Sequence, residues 1–180
     1  MFKRLGIGLF SILCAFQSFA GIEAFHQGPV FKSFGKIADV NTSVSIPKNM
    51  KFHVAFDMSK ASDVGKINRN LDTLGRFINM HVANGVPKQD IKVAMVVHGK
   101  SVTDLANHSF YSKLHSGSAN ANQNIVKQLI AFGVKIYICG QSAAYYGLSQ
   151  KDLLPNVDMA LSAMTAHAIL HSEGYSLNPF

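Results

Sequence analysis

Three short apolar runs, each closed by a polar titratable residue, constrain the fold of this chain more than any other feature. Residues 52–58 (Phe-His-Val-Ala-Phe-Asp-Met) end around Asp57, residues 91–97 run into His98-Gly99, and residues 134–138 run into Cys139-Gly140. The second and third runs are largely β-branched, the composition of strands covered on both faces of a parallel sheet. Between the first two, Val64, Ile67, Leu71, Leu74, Ile78 and Val82 recur at spacings of three and four. That spacing predicts a helix from a cap at Ser62 or Asp63 to about Ala83, closed by Asn84-Gly85 and kept from resuming by Pro87.

The pattern continues to the end of the chain. Residues 101–114 read as a broken helix, and residues 116–122 as a polar, mobile connection. Ile125, Leu129 and Phe132 mark a helix ended by Gly133. A short helix is expected around 143–146, another turn from Ser149 or Gln150, and a fourth strand over 156–161. Ser162 caps a last helix reaching about Ser172. Strand and helix therefore alternate three to four times, giving an α/β fold with a mostly parallel sheet and right-handed crossovers. Residues 21–50 form an N-terminal extension, where 30–34 and 37–40 leave room for short edge strands. With 180 residues, 48% hydrophobic and 15% charged, the chain suits one packed domain rather than a disordered one.

Residues 1–20 read as a secretory signal: basic Lys3 and Arg4, an apolar run over 5–16, and Ser18-Phe19-Ala20 as a cleavage site before Gly21. The run is too short to span a bilayer, so no integral membrane span is expected. Cys14 follows Leu13, where lipoprotein signals want a small residue, so cleavage is expected rather than a lipid anchor. The location is then periplasmic or secreted. The formal charge is +7, and the signal carries two basic and no acidic residues, so the remainder keeps +5. No Lys or Arg run is dense enough to track a phosphate backbone, which argues against nucleic acid as a partner. Beyond residue 20 the chain has one cysteine, Cys139. It cannot form an internal disulfide; it is a free thiol, an intermolecular bridge or an inert buried side chain.

In open α/β sheets ligands bind outside the carboxyl ends of the strands, which here carry Asp57, His98 and Cys139. If the first strand lies between the other two, the outer ends are about 10 Å apart and the three side chains can meet. Ahead of Gly140-Gln-Ser142, the Cys139 thiolate would be stabilised by helix N–H groups or by a nearby imidazolium. The other reading is a structural thiol packed like a small hydrophobe. His98 is a partner to that thiolate or a hydrogen-bonded loop histidine; Asp57 shares the site or caps a turn. His167 and His171 have the i, i+4 spacing that grips a metal, but no third ligand accompanies them, so no metal and no cofactor is assigned. His108 and His115 lie apart, and neither a G-x-G-x-x-G nor a G-x-x-x-x-G-K nucleotide signature occurs. Tyr145, Tyr146 and Phe132 read as packing. Asn41-Thr-Ser43 and Asn107-His-Ser109 match a glycosylation pattern common by chance.

Val96-Val-His98-Gly99, Gly133-Val-Lys-Ile-Tyr-Ile-Cys139-Gly140-Gln141-Ser142, and Ser162-Ala-Met-Thr-Ala166 with Glu173-Gly174-Tyr175 resemble, in order and spacing, the DsrE/DsrF-like family. The resemblance covers residues 51–180. It implies a flavodoxin-like three-layer α/β/α fold with four to five strands, assembly into trimers or hexamers, and a strand-end cysteine that carries sulfur as a persulfide. Cys139 falls on that position, and His98 matches the His-Gly of an exported branch of the family. The function expected is an envelope sulfur carrier or thiol relay, a sulfur-transfer protein rather than a hydrolase or oxidoreductase. Cys139 would be the acceptor, His98 would tune its ionisation, Asp57 would orient the site, and donor and acceptor proteins would be its partners. The alternative is a non-catalytic oligomer holding a small ligand or metal in the strand-end crevice, with Cys139 and His98 as ligands. A third reading is a structural homo-oligomer with a buried cysteine.

Overall fold

Alternation along the first strand sorts its side chains between two layers. In the computed structural model, which describes residues 21–179, β1 (Phe52–Met58) turns Phe52, Val54, Phe56 and Met58 into one core. Ala55 goes to a smaller core on the opposite face. β2 (Ile91–Val97) divides the same way, with Val93, Met95 and Val97 on one side and Ala94 and Val96 on the other. The signal expected over residues 1–20 lies outside the described residues.

Five strands form one parallel sheet in the order β4-β3-β2-β1-β5, completed by β3 (Lys135–Cys139), β4 (Asp158–Ala160) and β5 (Ser176–Asn178). The chain steps from β1 to β4 in one direction, so right-handed crossovers put the intervening helices on one face. Those are α1 (Arg69–Ala83), α2 (His108–Leu114), α3 (Gln123–Phe132) and α4 (Gly140–Tyr146), all contributing to the larger core. The step from β4 back to β5 runs the other way. Its helix, α5 (Ala163–Ser172), therefore lies on the opposite face, packing Ala166 and Leu170 on Ala55, Ala94 and Val96. This is the three-layer α/β/α arrangement, with one face covered, among the described residues, by a single helix. Among the described residues no helix is long and apolar enough to cross a membrane.

The strand order differs from the one assumed above: β2, not β1, lies between the other two. Each crossover moves one strand along, so the middle of three consecutive strands is the second. The first helix also starts later than its periodicity suggests. Its cap is Asn68, whose side chain accepts from the Asn70 N–H, while Val64 and Ile67 are exposed in the loop before it. Asn68 wins because its other groups are held as well: its N–H donates to Asn122 Oδ1 (2.7 Å) and its amide to Asp104 Oδ2 (2.7 Å). Asp104 also accepts from the Ser62 N–H at 2.8 Å. Burial pushes the Asp104 carboxyl above its ordinary pKa, against the opposing pull of these donors. The polar stretch 116–122 belongs to the same network: Asn120 and Asn122 are buried, so its second half is anchored rather than free.

Residues 21–50 contain no strand, only a single antiparallel bridge from His26 to Ile37. They lie against α1, burying Phe31, Phe34 and Ile37, and are fastened by the fully buried Asn79. Its side chain accepts from the Val30 and Phe31 N–H groups and donates to the Phe31 and Gly35 carbonyls. A side chain satisfies these backbone groups where a strand ladder would have done so.

Candidate functional site

Adjacent strands whose following helices leave for opposite faces create a crevice at their carboxyl ends. Here those strands are β3 and β4, followed by α4 and α5, and Cys139 is the last residue of β3. Its sulfur meets the starts of both helices: the N–H groups of Gln141 and Ser142 from α4, the N–H of Ala163 from α5, and the Ser142 hydroxyl. Burial pushes the thiol up, but these donors together outweigh it and hold Cys139 below the ordinary cysteine pKa. The Ser142 oxygen accepts the Gly99 N–H at 2.9 Å, which leaves its own proton to point at the sulfur.

Two glycines make this geometry possible. A Cβ on Gly140 would stand 2.7 Å from the Ala160 carbonyl oxygen and 3.2 Å from that of Leu161, so only glycine lets α4 start against the end of β4. Gly99 sits at φ +57°, a conformation that disfavours side chains, and so turns its N–H toward Ser142.

Strand parity places Asp57, His98 and Cys139 on the same face of the sheet, the one covered by α5. Val97 pairs with Ile138, so the next step sets the His98 backbone beside that of Cys139, at the spacing of neighbouring strands, about 5 Å. Asp57 lies on the other side of β2. Its Oδ2 accepts from His98 Nε2 at 2.7 Å. Its Oδ1 accepts from His167 Nε2 at 2.8 Å. All three are partly open to solvent, with side-chain exposures of 32% for Asp57, 34% for His98 and 25% for His167.

The profile of the DsrE/DsrF-like family matches residues 50–179. The chain belongs to that family. A protein of unknown function, MTH1491 from Methanobacterium thermoautotrophicum, has the same fold, with a TM-score of 0.53 and 19% identity over 72% of this chain and all of its own. YchN from E. coli gives a TM-score of 0.53 and 14% identity over 73% of this chain and all of its own. No curated protein matches the sequence. In this DsrE-like chain Asp57, His98 and Cys139 share one face at neighbouring strand ends, and of the two stabilisers expected for the Cys139 thiolate, helix N–H groups or an imidazolium, it is the N–H groups that face the sulfur. His98 is bonded to Asp57, and the groups that lower the Cys139 pKa are Ser142 and backbone amides.

Sequence reasoning missed His167 as a site residue. The signal was there: with Ser162 as cap, His167 adjoins the inward stripe Ala163-Ala166-Leu170 of α5. Its i+4 neighbour His171 is exposed and takes no part. Among the described residues no group of three or more His, Cys, Asp or Glu side chains is disposed to hold a metal ion. The thiol is nearly closed to solvent, since Cys139 is only 6% exposed. Yet its neighbours are N–H and O–H donors, unlike the apolar surroundings of an inert structural cysteine. Tyr145, read from the sequence as packing, is largely exposed on α4.

Proposed function

We propose that this DsrE-like protein is a sulfur carrier of the cell envelope, with Cys139 as the acceptor. The observation that carries the reading is the Cys139 sulfur set among donors from two helix starts, which favour its thiolate despite burial. The thiolate attacks the outer sulfur of a persulfide or polysulfide R–S–SH. A Cys139–sulfur bond forms, the donor S–S bond breaks, and the donor leaves as R–S⁻, to be protonated to a thiol. In the second half an acceptor thiolate attacks the outer sulfur of the Cys139 persulfide, and Cys139 departs as thiolate. A lowered pKa serves this step too, because a more acidic thiol is a better leaving group. The chain of residues 21–180 has no second cysteine to intercept the sulfur as an internal disulfide.

Export rests on the composition of residues 1–20. Assembly into a homo-oligomer, a trimer or hexamer, is supported by the thinness of the second layer. Among the described residues α5 is the one helix on that face, and Leu161, Met164, Ile169 and Leu177 along it are exposed. Leu161 and Met164 flank the Ser162-Ala163 step beside Cys139, so a neighbour seated there, or a donor or acceptor protein, would border the thiol.

The test is an intact-mass spectrum of wild type and Cys139→Ser before and after polysulfide. Addition of sulfur to wild type alone is expected. Wild type that gains no sulfur, with a thiol that alkylates only after denaturation, would sink the carrier reading and leave Cys139 a structural residue.

A further inference from the structure

We propose that His167 is a positioning residue of the sulfur site: by holding one oxygen of Asp57, it makes the other oxygen fix His98 in the Nε2–H tautomer. His98 Nδ1 is then the ring nitrogen open to a proton beside Cys139. The proposal deepens the carrier reading and rests on it for its chemistry, though not for its geometry.

The geometry comes from two bonds to one carboxylate. An ionised carboxylate only accepts hydrogen bonds, so the Nε2 atoms at 2.7 Å and 2.8 Å must each carry the proton. In a neutral ring the proton cannot then also be on Nδ1. A carboxylate bonded through one oxygen can turn about its last torsion and release or re-present that oxygen. With both oxygens occupied, by His98 just past β2 on one side and by His167 of α5 on the other, it cannot turn without losing both bonds. The three residues are far apart in sequence, so only the packed sheet and helix bring them together.

The same helix also reaches the thiol. Ala163, in the first turn of α5, offers its N–H to the Cys139 sulfur, and His167 stands one turn further on. Movement of α5 therefore loosens the sulfur and the carboxylate together. The titratable groups bonded to Asp57 are His98, which follows β2, and His167 from α5, with Cys139 at the end of β3 on the strand next to His98.

In sulfur loading this arrangement gives the proton a route. Cys139–SH and R–S–SH become Cys139–S–SH and R–SH. The thiol proton passes to His98 Nδ1, directly or through one water, as the sulfur attacks, and then to the departing R–S⁻. No electrons are gained or lost beyond the exchange of one S–S bond for another. Asp57 and His167 touch neither sulfur, and both act through His98.

The experiment labels the histidines with ¹⁵N and reads their tautomers at alkaline pH from long-range ¹H–¹⁵N spectra, beside single-turnover loading from a small-molecule persulfide. Wild type should show His98 with Nε2 protonated and Nδ1 bare. His167→Leu should mix the two tautomers and slow loading by roughly tenfold, less than the ~10²-fold or more expected when a proton-transfer group is removed outright. His167→Gln keeps a side-chain N–H for Asp57 Oδ1 and should restore the single tautomer and most of the rate. His98 protonated on Nδ1 in wild type, or a single Nε2–H tautomer that persists in His167→Leu, overturns the proposal whatever the loading rate does. If His167→Leu does not fold, the same spectra are read on His167→Ala. Failure of wild type to load sulfur, with the tautomers as stated, would refute the carrier reading and leave the positioning role standing.

Discussion

Gly140→Ala isolates the contact on which the crevice depends. Its Cβ would stand 2.7 Å from the Ala160 carbonyl oxygen, whereas carbon and carbonyl oxygen normally approach to about 3.3–3.6 Å, so roughly 0.6 Å or more must be found. It cannot come from a flexible side chain, because the obstructing atoms are backbone of β4 and of the connection to α5. Overpacking of this kind costs about 1–3 kcal/mol. Alanine regains up to ~1 kcal/mol over glycine as a helix former, so a net loss of about 1–2 kcal/mol is expected in urea denaturation. The displacement falls just ahead of Ala163, whose N–H faces the Cys139 sulfur, so the thiol pKa should also rise toward its ordinary value. Alkylation of Cys139 followed against pH reads that second effect. A variant as stable as wild type with an unchanged alkylation profile would show that the β4–α5 connection does not press on Gly140 and does not support the thiolate.

Three further outcomes follow from named bonds. Ser142→Ala leaves the Gly99 N–H without its acceptor and removes a donor from Cys139; stability should fall by about 1–3 kcal/mol and the alkylation profile should move to higher pH. Because the folded Cys139 pKa lies below the unfolded one, the unfolded state binds more protons between the two. Stability should therefore rise with pH through that window, stay high above the unfolded pKa, and be lost as pH falls through the folded pKa. Denaturation midpoints across pH should show this slope in wild type and not in Cys139→Ser. Asn79→Ala leaves the Val30 and Phe31 N–H groups and the Phe31 and Gly35 carbonyls without their partner; at ~1–3 kcal/mol per unsatisfied group the loss should be about 4 kcal/mol or more, and the segment should become the first site of limited proteolysis.

The strands were legible because their apolar runs are continuous and their ends are marked by Asp57, His98 and Cys139. Periodicity likewise showed the body of α1, and Ser162 showed where α5 begins. The start of α1 was not legible, since Val64 and Ile67 continue its spacing in sequence. The choice of Asn68 depends on Asp104 and Asn122, which lie 36 and 54 residues away. The same limit applies to residues 30–34, where the backbone is satisfied by Asn79 from another element.

At the site, the sequence by itself determined which residue types close which strands; that they share a face follows from the register between the strands and from which side each core lies on. It did not determine which strand lies in the middle, because strand order is settled by where successive crossovers dock. That order sets His98, rather than Asp57, beside Cys139. Nor did it determine that His167 would complete the carboxylate, or that the Ser142 hydroxyl and the Ala163 amide of α5 would join the expected α4 amides at the sulfur. Hydrogen bonds of that kind join residues from different elements, and the packing of α4 and α5 on opposite faces of one sheet is what brings them within reach.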